Sequence, residues 1–309
     1  MQLNHKSHYI DVDNHKLHLR RIWQKENAPV VVMFHGVIED GAIFYKDDRK
    51  GLANFLARNG FDVYVVDFRG KGGSRPLIQQ DSNHDQYDVI ARDIPSVMRY
   101  ICSVSQQPLH VVCHSWGGVL FSAAYIRAKG YDNRIASIVC FGTKRRVAVW
   151  NRDRLLKVSL FWNNLAPLLA TRKGYLDAKY YRIGAAPETK KFIQQSVHWV
   201  KKREWRDPSD NYNYTKETKK VSWPPTWYLT GVNDHSLGHA DDVYRFLKET
   251  QHPDGRFTLL SKQNGNLVDY DHINILTHKL AEQDHFLSVL EWLKQHSQTA
   301  TTDSQAVTL

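Results

Sequence analysis

The sequence predicts an α/β fold, a mostly parallel, doubly wound sheet with a helical insertion. Apolar runs of strand length alternate with helical patterns over residues 28–142, and this alternation resumes at residue 224. Such an order is typical of a parallel sheet with helices on both faces. Between the two stretches the alternation stops, and the sequence is helix-like, basic and aromatic. With 309 residues, 42% of them hydrophobic, the chain is long enough for one large domain that carries an insertion.

The first half of the chain supplies most of the predicted sheet. Segments 8–12 and 16–23 are strand-like and flank Asp13-Asn14-His15, which predicts an antiparallel hairpin. The unbroken apolar run at 28–35 predicts a strand buried on both faces, 61–68 predicts the next buried strand, and 109–114 and 135–142 predict two further strands. Helical spacing predicts helices between them: 52–60, 87–104 and 117–130. Pro95 either bends the second of these helices or marks a helix start.

The second half returns to the same alternation after the insertion. We predict strands at 224–231 and 255–261 and helices at 241–249 and 285–295. The predicted division of the chain is a core of residues 1–143 and 222–296, a helical cap or lid of residues 144–221, and a polar tail of residues 297–309. The tail is aperiodic, so we expect it to be disordered.

Composition excludes several classes of protein. Three cysteines are too few and too irregularly spaced for a disulfide framework or a zinc site, and they favour a reducing compartment. The first 21 residues contain no apolar segment typical of a signal peptide, and no run of 18 apolar residues occurs. We therefore expect a cytoplasmic protein without a spanning helix, and we expect neither a cofactor nor a metal.

The stretch VVCHSWGGVL, residues 111–120, places Ser115 between a buried strand and a helix. A tight strand–turn–helix exposes such a hydroxyl and requires small residues two positions before and after it, as in the G-x-S-x-G nucleophile elbow. Gly117 meets that requirement, and Cys113 meets it approximately as a small packing residue. Taken alone, a serine at this position is more often a helix N-cap than a nucleophile.

Five motifs in order carry a resemblance to a known family. They are His35-Gly36, VVDFRGKGGS at 65–74, the elbow at 113–117, Gly231-Val232-Asn233-Asp234 and Asp271-His272-Ile273-Asn274. The chain resembles the α/β-hydrolase superfamily, and within it the lipase, lysophospholipase and monoglyceride-lipase-like members. The resemblance covers roughly residues 28–143 and 222–295. It implies the α/β-hydrolase fold, with the intervening segment as the cap.

The same resemblance implies a catalytic triad in the order Ser, acid, His. Ser115, Asp234 and His272 satisfy that order. Serine needs a base to become a nucleophile, histidine is a suitable base, and a carboxylate orients the imidazole. The implied oxyanion hole is the pair of backbone N–H groups of Val37 and Trp116.

Other acidic residues and histidines lie close in sequence to Asp234 and His272 and could fill the same roles. Asp241 and Asp242 are alternatives to Asp234, although both are typical of the first turn of a helix. His278 and His285 are alternatives to His272, although both lie in predicted helices.

The family and the triad predict a serine hydrolase that cleaves carboxylic esters with an apolar acyl chain through an acyl-enzyme intermediate. An acyltransferase on the same triad and a non-catalytic hydrolase-like binding protein remain alternatives. The predicted ligand is a small-molecule ester or lipid.

The charge of the chain is concentrated in the insertion. Residues 144–220 hold 19 Lys and Arg against 7 Asp and Glu, a net charge of +12 in a chain of net charge +10. This excess either forms a solvated face or contacts an anionic membrane, with Lys144, Arg145, Arg146 and Lys201 among the contacting charges. No nucleic-acid-binding motif accompanies the charge, so no nucleic acid partner is expected.

Overall fold

The computed structural model describes residues 2–46, 49–131, 134–252 and 254–306, with side chains to residue 298. Its centre is an eight-stranded sheet in the order β1-β2-β4-β3-β5-β6-β9-β10. The strands are β1 Asn4–Val12, β2 His15–Trp23, β3 Val30–Phe34, β4 Asp62–Asp67, β5 Leu109–His114, β6 Ile135–Phe141, β7 Tyr175–Leu176, β8 Glu188–Thr189, β9 Thr226–Gly231 and β10 Arg256–Leu260.

The sheet is parallel except at one edge. Strands β1 and β2 form the predicted hairpin, and β2 pairs antiparallel with β4. The pairs β4–β3, β3–β5, β5–β6, β6–β9 and β9–β10 are all parallel. Every residue of β3, β4 and β5 is buried, which is why these strands are continuous apolar runs in the sequence. The predicted fold class is confirmed.

Helices cover both faces of this sheet. The α-helices are α1 Leu52–Arg58, α2 Gln86–Asp88, α3 Ile94–Val104, α4 Trp116–Arg127, α5 Ala166–Leu169, α6 Lys190–Lys201, α7 Tyr214–Glu217, α8 Ala240–Glu249, α9 Asn274–Thr277 and α10 His285–Ala306. A π-helical segment, Val89–Asp93, joins α2 to α3, and Pro95 lies in the first turn of α3.

The end of the chain differs from the predicted disordered tail. Helix α10 continues past residue 296 to Ala306, and residues 307–309 lie outside the described part of the chain. Ser297 attaches this part of the helix to the sheet, because its hydroxyl contacts His110 Nε2 of strand β5 at 2.9 Å and also donates to the carbonyl of Leu293 one turn earlier.

The insertion at residues 144–221 is mainly helical. A π-helical segment, Arg154–Leu165, leads into α5, and α6, α7 and the short pair β7–β8 follow. It is joined to the core through a buried ion pair between Lys71 and Glu188. Trp199, Trp205 and Tyr214 of the insertion pack against one another and are fully buried.

Two of the cations expected on the surface of the insertion are buried. Arg145 is 0% exposed, donates to the carbonyls of Trp199, Lys202 and Arg203, and pairs with Glu249. Lys144 is 7% exposed. The expectation was wrong for these two residues, because the chain continues from β6 into the interior before it reaches the surface. Within the described residues, no helix combines the length and apolar character needed to cross a membrane.

Candidate active site

Ser115 occupies a strained turn between β5 and α4. Its φ of 52° is uncommon for a residue with a side chain, and its N–H donates to the carbonyl of Phe141 on the neighbouring strand at 2.7 Å. Gly117 permits this turn, since a Cβ there would lie 2.4 Å from the carbonyl oxygen of His35. The local geometry is that of a nucleophile elbow.

The structure brings Ser115, His272 and Asp234 together. His272 Nε2 lies 2.8 Å from Ser115 Oγ, and His272 Nδ1 lies 2.5 Å from Asp234 Oδ2. Asp234 Oδ1 accepts from the Gly238 N–H at 2.8 Å. Burial would raise the pKa of Asp234, but His272, the Gly238 N–H and the charge of Lys144 outweigh burial and lower it. Asp234 is therefore an ionised acceptor for the imidazole.

The rival residues have other roles in the structure. Asp242 accepts from the N–H groups of Ala148 and Val149, whereas Asp241 lies in the first turn of α8. His285 Nε2 contacts the carbonyl of Ile275, and burial lowers the pKa of His285 to about 4. His278 Nδ1 accepts from the Leu280 N–H.

The loop after β3 holds Val37 close to the elbow. His35 Nδ1 lies 2.8 Å from the carbonyl of Gly36, and His35 Nε2 accepts from the Phe68 N–H, so the ring is neutral and shapes the loop. A Cβ on Gly36 would lie 2.8 Å from Ser115 Cβ, so the loop approaches the serine closely. Trp116 begins α4, and the N–H groups of the first helical turn have no acceptor within the helix.

A buried Glu39–His114 pair links this loop to the histidine loop, and the sequence reasoning missed it. Glu39 Oε2 accepts from the Gly36 N–H at 2.8 Å and contacts His114 Nδ1 at 2.8 Å. His114 Nε2 lies 2.9 Å from the carbonyl oxygen of His272. Both nitrogens of His114 face acceptors, so the ring is a cation. No periodic pattern marks such a pair, and only the juxtaposition of His114 with Ser115 could have suggested it.

Electrostatics favour the charged form of this pair. Burial would raise the pKa of Glu39, but the charge and hydrogen bond of His114 lower it to about 2. Burial would lower the pKa of His114, yet Glu39 raises it above its ordinary value. A buried ion pair therefore lies directly behind the His272 ring, with 4.8 Å between the centroids of the two imidazoles.

The insertion covers the site. The N–H groups of Ala185 and Ala186 both donate to the carbonyl of Ile38, at 2.9 and 3.0 Å. Ile38 has a φ of 51°, which is strained for a β-branched residue. Ser115 is only 7% exposed and His272 only 8%. The two side chains thus present only a small part of their surface to solvent.

Cys113 is a packing residue in the structure. It is fully buried in β5, opposite Cys140 of β6. Burial raises the pKa of the Cys113 thiol well above its ordinary value, so the neutral, unreactive form dominates. Within the described part of the chain, no group of three or more His, Cys, Asp or Glu side chains is arranged to hold a metal ion.

Comparison with known proteins identifies the family to which this fold belongs. Residues 29–288 match the model of the family described as the alpha/beta hydrolase fold. The sequence is 22% identical over 213 residues to Lipase 1 of Drosophila melanogaster, covering 65% of this chain and 47% of that protein. It is 26% identical over 106 residues to Triacylglycerol lipase 1 of Arabidopsis thaliana, covering 32% of this chain and 27% of that protein. The chain thus spans about half or less of these curated relatives.

A solved structure shows the same fold over nearly the whole chain. A soluble variant of monoglyceride lipase from Saccharomyces cerevisiae, in complex with a substrate analogue, superposes with a TM-score of 0.66 at 18% identity. The match covers 94% of this chain and 96% of that one. Because the family model matches well over half of the sequence, the chain belongs to the α/β-hydrolase fold family.

Proposed function

We propose that the protein is a serine hydrolase that cleaves carboxylic esters with an apolar acyl chain. The observation that carries the proposal is the hydrogen-bonded chain from Ser115 through His272 to Asp234, with distances of 2.8 and 2.5 Å. Nucleophile, base and orienting acid each have the required partner. The curated relatives support ester chemistry, since both are named as lipases.

The same three residues, Ser115, His272 and Asp234, act in both half-reactions. His272 Nε2 accepts the Ser115 hydroxyl proton as Oγ attacks the ester carbonyl, and Asp234 stabilises the imidazolium that forms. The imidazolium then donates its proton to the departing alcohol, which leaves an acyl-enzyme. Water attacks the acyl carbonyl with His272 again as base, and the product acid is released. An alcohol or thiol in place of that water would make the protein an acyltransferase.

Two backbone N–H groups stabilise the oxyanion in this proposal. Trp116 supplies one from the start of α4, and Val37 supplies the other from the loop held by Glu39. Such preorganised donors act on the charge that develops in the transition state. The insertion donates hydrogen bonds to the carbonyl of Ile38, the residue after Val37. In this proposal, movement of the cap therefore shifts the N–H group of Val37.

The surroundings favour an apolar acyl group. Val37 and Leu237 pack against an apolar cluster that contains Trp116, Val147 and Val158.

The experiment that tests the proposed function is hydrolysis of p-nitrophenyl esters of graded chain length, with Ser115→Ala as the control. We expect turnover to rise from acetyl to medium chains and to vanish in the variant. Equal turnover in Ser115→Ala would overturn the proposal. Product analysis with an added alcohol separates hydrolysis from acyl transfer.

We further propose that the insertion contacts an anionic membrane surface. Large apolar side chains of the insertion are exposed before, within and just after its first helical segment: Trp150 (80% exposed), Leu155, Leu156, Leu160 and Leu168. Arg146, Arg154 and Lys201 line a cavity of about 320 Å³ in the same region. Apolar side chains that insert beside cations that attract headgroups fit an anionic bilayer.

Vesicle sedimentation tests this contact. Binding to anionic vesicles should exceed binding to neutral ones and should fall as salt rises, because charges are screened over about 10 Å at 0.1 M salt. Lys157→Glu combined with Lys201→Glu reverses two exposed cations of this region and should weaken binding. Lys219→Glu combined with Lys220→Glu reverses two exposed cations later in the insertion and serves as the matched control. Equal binding to both vesicle types at low salt would show that the basic surface of the insertion is only solvated and does not bind anionic lipid.

A further inference from the structure

Lys144 is a largely buried lysine that follows strand β6 and lies within electrostatic reach of Asp234. It lies three residues after Phe141, the residue whose carbonyl receives the Ser115 N–H. Its ammonium nitrogen lies 5.9 Å from the centroid of the Trp116 ring, and the residue is only 7% exposed. Among the described residues, none provides Nζ with a hydrogen bond or an ion pair. The ammonium nitrogen keeps contact with solvent, so its three donors are available to a ligand that approaches from that side.

The two nearby carboxylates, Asp234 and Asp242, do not form ion pairs with Lys144. Asp234 is engaged by His272 and by the Gly238 N–H. Asp242 is engaged by the Ala148 and Val149 N–H groups and by Arg245. Both charges act on Lys144 through space and oppose the lowering of its pKa by burial, but neither carboxylate is within ion-pair distance of it.

A second unpaired donor lies against the same tryptophan. Gln86 is 1% exposed, and its Oε1 accepts from the Trp116 indole N–H at 3.1 Å. The Gln86 amide nitrogen, Nε2, is buried with no hydrogen-bond partner. Two buried side chains that contact Trp116 thus carry unused donors, one of them charged. Both side chains contact the residue that follows Ser115, so a ligand with negatively charged acceptors bound there would satisfy both donors.

We infer that Lys144 binds an anionic group, a carboxylate or phosphate, that the ester substrate carries close to its scissile bond. This inference rests on the proposed ester hydrolase function and narrows it to esters that combine an apolar chain with an anion. The ammonium pairs with the anion when substrate is bound, and the Gln86 amide supplies a further donor. Lys144 takes no part in proton transfer between Ser115 and His272, but its charge also lowers the pKa of Asp234. The test therefore compares the ratio of anionic to neutral esters and not absolute rates.

Matched esters test the inference. The acyl-side pair is mono-p-nitrophenyl succinate against p-nitrophenyl butyrate, and the alcohol-side pair is butyryl glycerol 3-phosphate against monobutyrin. We expect one anionic ester to exceed its neutral partner in kcat/KM. Lys144→Met should reduce that ratio roughly 10- to 100-fold, the range for a hydrogen bond to a charged group. Lys219→Met, at an exposed position, should leave the ratio unchanged. The pair that shows the preference identifies which side of the ester carries the anion.

A binding assay keeps the inference separate from the proposed activity. Hexylphosphonate should raise the melting temperature of the wild-type protein more than hexanol does, and Lys144→Met should remove that difference. The variant alone should melt close to the wild-type temperature, because the ammonium makes no hydrogen bond or ion pair with the described part of the protein. No preference for either anionic ester together with no phosphonate shift would overturn the inference. No hydrolysis of any ester, with the phosphonate shift intact, would instead overturn the proposed function.

Discussion

Glu39→Gln tests whether the buried Glu39–His114 ion pair stabilises the site without taking part in the reaction. The change removes the negative charge that faces His114 but keeps an oxygen for the Gly36 N–H. A cationic His114 would then be buried without its counterion, so it must lose its proton. The neutral ring can donate from only one of its two nitrogens, so one of the contacts to residue 39 and the His272 carbonyl is lost.

The size of the effect follows from the pKa of Glu39. Its ordinary value is 4.5 and its folded value is about 2. A carboxyl whose folded pKa is lowered contributes stability above its unfolded pKa and loses it as the pH falls toward the folded one. At about 1.4 kcal/mol per pKa unit, that contribution is roughly 3 kcal/mol at pH 6. The stability gap between wild type and variant should therefore shrink as the pH falls from 5 toward 2.

The assay is urea unfolding across this pH range, with Glu282→Gln as the matched control. Glu282 forms a partly exposed ion pair with Arg58, so its loss should cost less than about 1 kcal/mol. We also expect kcat of Glu39→Gln to fall about tenfold, since a neutral His114 no longer links the loop that carries Val37 to the loop that carries His272. A variant within 0.5 kcal/mol of wild type at pH 6, with unchanged kcat, would refute the role of this pair.

Three further predictions concern the site and its cover. His272→Ala and Asp234→Asn should each lower kcat by roughly 10³-fold or more, and the double variant should cost little beyond the worse single one, because triad members act as a unit; steady-state kinetics that show near-normal turnover in His272→Ala would remove it from the mechanism. Cys113→Ala should keep most activity, measured on a soluble ester, and a loss as large as that of Ser115→Ala would show that the thiol matters. Gly184→Ala should lower kcat/KM about tenfold, since its Cβ would lie 2.6 Å from the Ile38 carbonyl oxygen and push the cap from the loop; unchanged kinetics would contradict the coupling.

The sheet was predictable because its strands are buried on both faces. Strand β5 begins and ends at the predicted residues, Leu109 and His114, since an unbroken apolar run has few other interpretations. Candidate residues at the carboxyl ends of the strands were predictable for a related reason. A strand–turn–helix around Ser115 leaves a local pattern of small residues, and family order then indicates Asp234 and His272.

What could not be predicted depends on distant contacts. The run Lys144-Arg145-Arg146 has the composition of a surface segment, yet Arg145 is enclosed by carbonyls from residues 199–203. Glu39 and His114 are 75 residues apart, and nothing local predicts their pairing. Helix α10 extends through polar sequence that carries no apolar period, so the sequence predicted a tail there.

The measurement that tests the central claim most directly is covalent labelling of the nucleophile. Wild-type protein is treated with a fluorophosphonate, and the modified residue is located by peptide mass spectrometry. The proposed mechanism predicts label on Ser115, no label on Ser115→Ala, and an unchanged circular dichroism spectrum in the variant. Label on Cys113 or on another serine, or equal labelling of the variant, would contradict it.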